Sequence, residues 1–375
     1  MKYCKKCLMP DTRPGLKFDS NGVCYACIHF EQQKNTDWKK RWKELETLCN
    51  KYRGKNGDDY DCAIAVSGGK DSHFQTYIIK EKLKMNPVLI TTGNLDWTDT
   101  GRKNLENLSD EFGCDMIMSI PNRKVARKML RKSFEDIGSP GWYLDASIYA
   151  FPVKIAQKLG VKLLIYGEDI NYMYGGEHDV ETPNAKLQSK NDVVKPIWEK
   201  WFEDGTLTKQ ELNSVKQPEP EEIENSELEM IYLSYFVPWN SHYNYEVAKR
   251  WGFKHLGHEY QREGSVDNYD QIDSIGYLFN PFLKYPKFGH SIATDIASRW
   301  IRYGLKTREE MIPYIEEYDG KLDQGTVEKF CEFTKMSVSE FYKILDKWYN
   351  PELFEQDNHG VWHPKFKVGI GLIDK

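Results

Sequence analysis

Ten residues carry the densest chemistry in this chain, Ala63 to Ser72, reading A-I-A-V-S-G-G-K-D-S. Gly68 and Gly69 let the backbone approach a ligand closely, and successive N–H groups opening a helix form a nest for anions. Lys70 adds a positive charge on a flexible stem, and the hydroxyls of Ser67 and Ser72 can donate to phosphate oxygens. The pattern differs from the Walker phosphate loop, whose Lys is followed by Ser or Thr, because Asp71 follows Lys70 here. A carboxylate in a phosphate nest is costly unless it caps the helix or a metal bridges it, so Mg²⁺ is implied at Asp71.

A second constellation opens the chain: Cys4-x2-Cys7, a gap of sixteen residues, then Cys24-x2-Cys27. Two such knuckles place four sulfurs around a tetrahedral ion, the spacing of a structural zinc site. The segment holds few apolar residues, so the metal would supply its folding energy, on the order of 10–16 kcal/mol. Disulfides and a redox role compete with zinc, but disulfides are rare in cytosolic proteins. His29, just beyond, reads as a surface residue. Further along, Glu168 and Asp169 close an apolar run and can hold Mg²⁺ or meet a ribose, the alternative being a solvated strand end. Arg299 and Arg302 lie three apart on one helical face downstream of His290. They can grip an anionic sugar or an α-phosphate; the alternative is surface pairing with Glu309 or Glu310.

The elements that must position these residues alternate in kind. A charged helix over 37–51 leads to a buried strand over 62–66 that ends at the glycines. Further strands are expected over 87–92, ending at Gly93, over 114–120, and over 161–166, ending at Gly167. A fifth is expected where Ile231, Leu233 and Tyr235 alternate. Helical patterns lie between them, with Arg123 to Lys132 read as a solvated basic face and Ile148 to Leu159 as the next helix. This alternation predicts an α/β fold with a doubly wound parallel sheet and ligands at the carboxyl ends of its strands, where Gly68, Gly69, Gly93 and Gly167 fall. Tyr172 to Gly176 reads as a mobile loop over the nucleotide cleft, and Gln217 to Glu222 as a surface excursion. Three regions follow: a knuckle over 1–35, the sheet domain over 36–240 with an insertion near 200–230, and a mainly helical substrate-binding region over 241–375.

The net charge of −5 disfavours a nucleic-acid partner, since such domains are usually strongly basic. No apolar stretch is long enough to span a bilayer, and no signal peptide precedes the first cysteines. A cytoplasmic location without membrane attachment is the expectation.

The S-G-G-x-D-S pattern after a hydrophobic strand resembles the PP-loop of the ATP pyrophosphatase superfamily. Together with the paired Cys-x2-Cys, the G-E-D strand end and K-Y-P-K-F-G-H…R-x-x-R-Y-G-x-x-T-R-E-E, it resembles the N-acetyl sugar amidotransferase family of bacterial surface-glycan pathways, pseudaminic and legionaminic acid modification and O-antigen synthesis among them. The resemblance implies ATP, Mg²⁺ and structural Zn²⁺. It implies an N-acetylated sugar substrate, free or nucleotide-linked, whose amide oxygen is adenylated before ammonia forms an acetamidine. In that reading Ser67 to Ser72, Gly93, Gly167, Glu168 and Asp169 meet the nucleotide, and Lys70, Asp71, His290, Arg299 and Arg302 act in catalysis. Lys2 after Met1 rules out an N-terminal cysteine nucleophile, and Cys49, Cys62, Cys114 and Cys331 lie outside any nucleophile-elbow context, so ammonia is expected from a separate glutaminase. A tRNA-thiolating PP-loop enzyme and a zinc-stabilised ATP-binding scaffold are the alternatives.

Overall fold

Five apolar runs too short to stand alone pair into one parallel sheet, its three central strands buried on both faces and its edge at Met116–Ser119 partly exposed. The computed structural model describes residues 1–56, 59–94, 96–176, 180–186, 199–213 and 215–373. Helices α1 (Tyr25–Gln33) and α2 (Trp38–Tyr52) precede β1 (Cys62–Ala65). Helix α3 (Lys70–Thr76) runs on through a π-helical turn to Lys82, followed by β2 (Pro87–Thr92), α4 (Asp99–Phe112) and β3 (Met116–Ser119). Then come α5 (Arg123–Ile137), α6 (Trp142–Lys158), β4 (Leu163–Tyr166) and the short α7 (Ile170–Met173). The expected insertion holds α8 (Glu199–Glu203), α9 (Lys209–Leu212) and α10 (Pro220–Glu224), before β5 (Glu229–Tyr232); Ser214 within it lies outside the described residues.

The strand order is β3-β2-β1-β4-β5, all parallel, with Ile64 opposite Leu89 on one side and Ile165 on the other. The chain begins in the middle, winds outward through β2 and β3, and returns to lay β4 on the free edge of β1. The winding therefore reverses between β1 and β4, and the crevice beyond their carboxyl ends is where such sheets take ligands. Period-two alternation divides the core. Cys62 and Ile64 face α2, α3 and α4, while Ala63 and Ala65 face α6.

Beyond the sheet come α11 (Ser241–Arg250), α12 (Ile275–Phe279), α13 (Lys284–Phe288), α14 (Ile292–Arg302), α15 (Arg308–Tyr318), α16 (Gln324–Thr334) and α17 (Val338–Asp346). Thr307 caps α15 in a reciprocal box with Glu310, as S/T-x-x-E patterns do. The tail forms two small antiparallel ribbons, β6 (Phe354–Gln356) with β7 (Trp362–Pro364) and β8 (Phe366–Lys367) with β9 (Gly371–Leu372). No helix among the described residues is long and apolar enough to cross a membrane.

Four local expectations are corrected. The fifth strand ends at Tyr232, and the alternating Leu233 and Tyr235 lie in a 3₁₀ turn closed by Phe236 N–H to Leu233 C=O. The basic face of α5 is docked rather than solvated: Lys128 bonds Glu211, Arg127 donates to Phe333 C=O at 2.7 Å, and Arg131 pairs with Glu340. Tyr172 to Gly176 is not an open loop, since α7 covers its first residues and Tyr172 stacks on His29 with ring centroids 4.1 Å apart. His29 is accordingly buried, its Nδ1 2.7 Å from Tyr172 C=O.

Candidate active site

Between β1 and α3 the chain turns at Gly68, whose φ is +90°; a Cβ there would lie 2.9 Å from Leu105 Cα, so only glycine lets α4 pack this close. The Ser72 hydroxyl accepts from Ser67 N–H at 2.9 Å and fixes the loop from within. The first intrahelical bond of α3 runs from His73 N–H to Gly69 C=O, leaving the Lys70, Asp71 and Ser72 amides ahead of it, and no side chain caps this end. An uncapped helix start with a lysine at its first position fits an anion.

Lys70 is buried and reaches two carboxylates, Asp71 at 2.7 Å and Asp270 at 2.5 Å. Burial opposes its charge, but Asp270 and Asp71 outweigh burial and hold its pKa well above the usual lysine value. Asp71 uses its other oxygen to accept from Asn244 of α11 at 2.8 Å. Asp270 pairs in turn with Arg299 of α14. The buried guanidinium of Arg262 holds the segment bearing Asp270 in place, donating to Ser265 Oγ at 2.9 Å and to the Asp270 carbonyl at 3.1 Å.

Lys70, Asp71, Asp270 and Arg299 line a cleft of about 440 Å³ whose walls also hold Ser67, Gly69, Glu168, Asp273, Asp145 and Lys284. That volume lies within the few hundred to about 1,000 Å³ usual for small-molecule sites. Burial pushes Asp273 up to about 7, and burial together with Asp71 raises Glu168. No basic side chain among the described residues lies within 4.0 Å of either carboxylate. A hard divalent cation suits this oxygen set. Asp71, where Mg²⁺ was expected, accepts one bond on each oxygen, from Lys70 and from Asn244, and Glu168 and Asp273 line the same cleft as further carboxylates that could hold one.

The fold brings Ser67, Gly69, Lys70, Asp71, Glu168, Arg299 and Arg302 to one cleft and sets the other expected residues outside its lining. Gly93 ends β2, one strand away from the point of reversal, and its N–H bonds Ser119 C=O toward β3. Gly167 serves packing, since a Cβ there would lie 2.9 Å from Gln75 and 3.1 Å from Trp239. Asp169 turns back to cap α7 through the Asn171 and Tyr172 amides. His290 is buried behind Asp295, its Nδ1 4.0 Å from that carboxylate; burial pushes the imidazole down to about 3, so it stays neutral. Arg302 lines the cleft, and instead of the alternative surface pairing with Glu309 or Glu310 its Nη1 lies 3.8 Å from Cys7 Sγ.

Asp270, Asp273 and Asn244 were missed in the sequence, as was the pair Tyr277–Asp145, joined at 2.6 Å. A signal for two of them exists. Asp267, Asp270 and Asp273 recur at every third position of V-D-N-Y-D-Q-I-D, a density of acids that solvated loops do not require.

The raised pKa of Asp273 makes stability pH-dependent with a defined sign. Unfolded, the carboxyl titrates near 3.9; folded, at about 7. Between these values the folded state binds the extra proton, so this group's contribution is full below about pH 4 and is lost as pH rises through 7. His73 and His290, held neutral by burial, act in the opposite sense. The reading is therefore a difference: the melting temperature of wild type minus that of Asp273→Asn is expected to fall steadily from pH 5 to pH 8, and calorimetry at constant ionic strength checks it.

The knuckle forms the neighbouring wall. The four sulfurs of Cys4, Cys7, Cys24 and Cys27 lie within 4.8 Å of one another, with Cys7 to Cys24 at 3.5 Å and Cys4 to Cys27 at 4.0 Å. A tetrahedral ion with Zn–S bonds of about 2.3 Å spaces its sulfurs roughly 3.8 Å apart, so one ion fits. The Lys6 and Cys24 amides donate to Cys4 Sγ at 3.3 and 3.2 Å, as donors to a metal-bound thiolate do.

Comparison with known proteins bears on the wall opposite the loop. Residues 263–367 match the family model described as LPS biosynthesis protein WbpG-like, C-terminal domain. This WbpG-like segment supplies Asp270, Asp273, Tyr277, Lys284, Asp295 and Arg299 to the cleft. Among curated proteins, the uncharacterized protein MJ1599 of Methanocaldococcus jannaschii is 24% identical over 161 residues, 43% of this chain and 56% of that protein. The chain thus spans about half the length of the curated relative it matches. Among solved structures, NMN synthetase from Francisella tularensis is similar at 11% identity and TM-score 0.33, over 80% of this chain and 94% of that one. The U34-tRNA thiolase NcsA from Methanococcus maripaludis, with its 4Fe–4S cluster, is similar at 13% identity and TM-score 0.32, over 81% and 87%.

Proposed function

We propose that this chain is an ATP-dependent enzyme of bacterial surface-glycan synthesis that turns the N-acetyl group of a sugar into an acetamidino group. One observation carries the reading: an uncapped helix start bearing Lys70 faces, across a single cleft, a wall built from the WbpG-like segment. An anion-binding corner and a glycan-family surface bound the same space.

The chemistry follows from the poor reactivity of an amide. Its carbonyl oxygen cannot leave as oxide, so it first attacks the α-phosphorus of ATP, and pyrophosphate departs. Ammonia then adds to the imidate carbon, AMP leaves with the C–O electrons, and one proton is released. In this scheme the Lys70, Asp71 and Ser72 amides and the Lys70 ammonium hold the departing pyrophosphate, where preorganised donors act most strongly. Arg299, fixed by Asp270 on the cleft wall, would meet the reacting phosphorus in this scheme. Asp145, fixed by the Tyr277 hydroxyl on the cleft wall, would accept the amide N–H in this scheme. Glu168 and Asp273 would hold Mg²⁺, which supplies charge neutralisation at the phosphates when bound.

Ammonia is assigned to a separate glutaminase. Cys49, Cys62, Cys114 and Cys331 are buried, and burial pushes each thiol above its usual value, which suits core packing rather than nucleophilic attack. Incubation with ATP, Mg²⁺, ammonium and a panel of N-acetylated sugars, free and nucleotide-linked, tests the proposal. AMP and a product in which NH has replaced oxygen are expected in equal amounts. Glutamine without a partner protein should yield none.

A further inference from the structure

Arg302 ends α14, and one face of that helix lies against the knuckle. Ser298, one turn earlier on the same face, donates to Cys7 C=O at 2.7 Å, and Ile301 packs against the buried cysteines. Arg302 reaches the sulfur of that same cysteine, its Nη1 3.8 Å from Cys7 Sγ. Consecutive turns of one helix therefore grip one cysteine, first at its carbonyl and then at its thiol. Glu310, which the sequence offers as a partner for Arg302, instead caps α15 and lies 3.6 Å from Lys306.

The four sulfurs are buried, and a divalent ion bound by four thiolates keeps a net negative charge. Burying that charge is costly unless donors within the protein compensate it. Among the described residues, the N–H donors to these sulfurs are the Lys6 and Cys24 amides, both on Cys4, and the Arg302 guanidinium on Cys7. The amides are neutral dipoles. Arg302 brings a full positive charge, and a guanidinium keeps it at any working pH. We propose that Arg302 is an outer-sphere partner of the metal held by Cys4, Cys7, Cys24 and Cys27, a positioning residue that donates to the Cys7 thiolate and sets how tightly the ion is kept. This role holds whatever reaction the cleft performs. The same guanidinium lines the cleft, so the metal centre and the cleft wall share one side chain.

Cobalt(II) reports on such a site, because its sulfur-to-metal charge-transfer absorption moves with hydrogen bonding to the thiolates. The intact protein, loaded with Co²⁺ or Zn²⁺, is competed against a chromophoric chelator. Arg302→Gln is expected to weaken both ions by about 10–100-fold, the usual cost of losing an outer-sphere partner. Its charge-transfer band should move to longer wavelength, since sulfur lone pairs without a cationic donor give up an electron more readily. Ser298→Ala loses only the carbonyl contact on the same helix face and should leave the band in place. Arg302→Lys keeps the charge without the planar fork and should fall between wild type and Arg302→Gln in both readings. If Arg302→Gln binds metal within about twofold of wild type and its band is unmoved, Arg302 is a packing neighbour of the knuckle and the assignment falls. Should Arg302→Gln not fold, Arg302→Lys decides: an intermediate affinity and a shifted band support the role, and no change in either overturns it.

Discussion

Lys70→Gln is expected to slow AMP formation by about 100–1,000-fold, the loss that follows removal of one preorganised donor, about 2.7–4 kcal/mol in the barrier. The sequence alone suggests that such a change leaves the fold untouched, but the surroundings of Lys70 argue otherwise. Lys70 is 6% exposed and its ammonium lies between Asp71 and Asp270, and removing one partner of a buried ion pair typically costs about 3–5 kcal/mol. Two features moderate that cost here. Asp270 keeps Arg299, and Asp71 keeps Asn244, so neither carboxylate is stranded. A lower melting temperature should therefore accompany the slower turnover. Asp71→Asn separates the two effects, because it retains the Lys70–Asp270 pair and the shape of the loop. It should leave melting nearly unchanged and still impair turnover. Wild-type AMP release from Lys70→Gln, measured by nucleotide chromatography, would overturn the role given to the loop.

The parts of this arrangement legible in the sequence are those set by local pattern. Pro87–Thr92 announces itself as a strand because buried β-branched residues end at glycine, and the loop after β1 because its glycines and lysine have few other uses. What the sequence could not convey is winding order. Gly93 and Gly167 both follow strands, as Gly68 does, yet only β1 and β4 flank the reversal point, and which strands do so depends on pairing between distant segments. Side-chain direction was equally hidden. Glu168 faces the cleft and its neighbour Asp169 caps a helix, a difference made by the four residues of α7. Arg299 and Arg302 share a helical face, as their spacing requires, yet one meets a carboxylate from the loop before α12 and the other a cysteine nearly three hundred residues away. Spacing gives the face of a helix; the partner comes from tertiary packing.

The same packing makes metal removal the largest effect expected on stability. The knuckle is clasped by the C-terminal helices: Ser298 Oγ donates to Cys7 C=O at 2.7 Å, Thr12 Oγ1 to Phe288 C=O at 2.5 Å, and Arg308 to Cys4 C=O. Tyr3 and Leu8 are buried against Ala297, Met311 and Ile315 of α14 and α15. Metal binding at such sites is worth on the order of 10–16 kcal/mol, comparable with the whole stability of a typical domain. Stripping the ion with a chelator, or substituting Cys24→Ser, should therefore release the first thirty or so residues and loosen α14 with them, freeing Arg299 and Arg302 from their places in the cleft. The expected readouts are a large drop in melting temperature, new hydrogen exchange across Ile292–Arg302, and recovery of both on adding back one equivalent of Zn²⁺. Metal analysis of the native protein should give one zinc per chain without labile sulfide; iron with sulfide would assign the four thiolates to a cluster instead. Should α14 keep its exchange protection once the ion is gone, the knuckle is an appendage and the cleft wall stands without it.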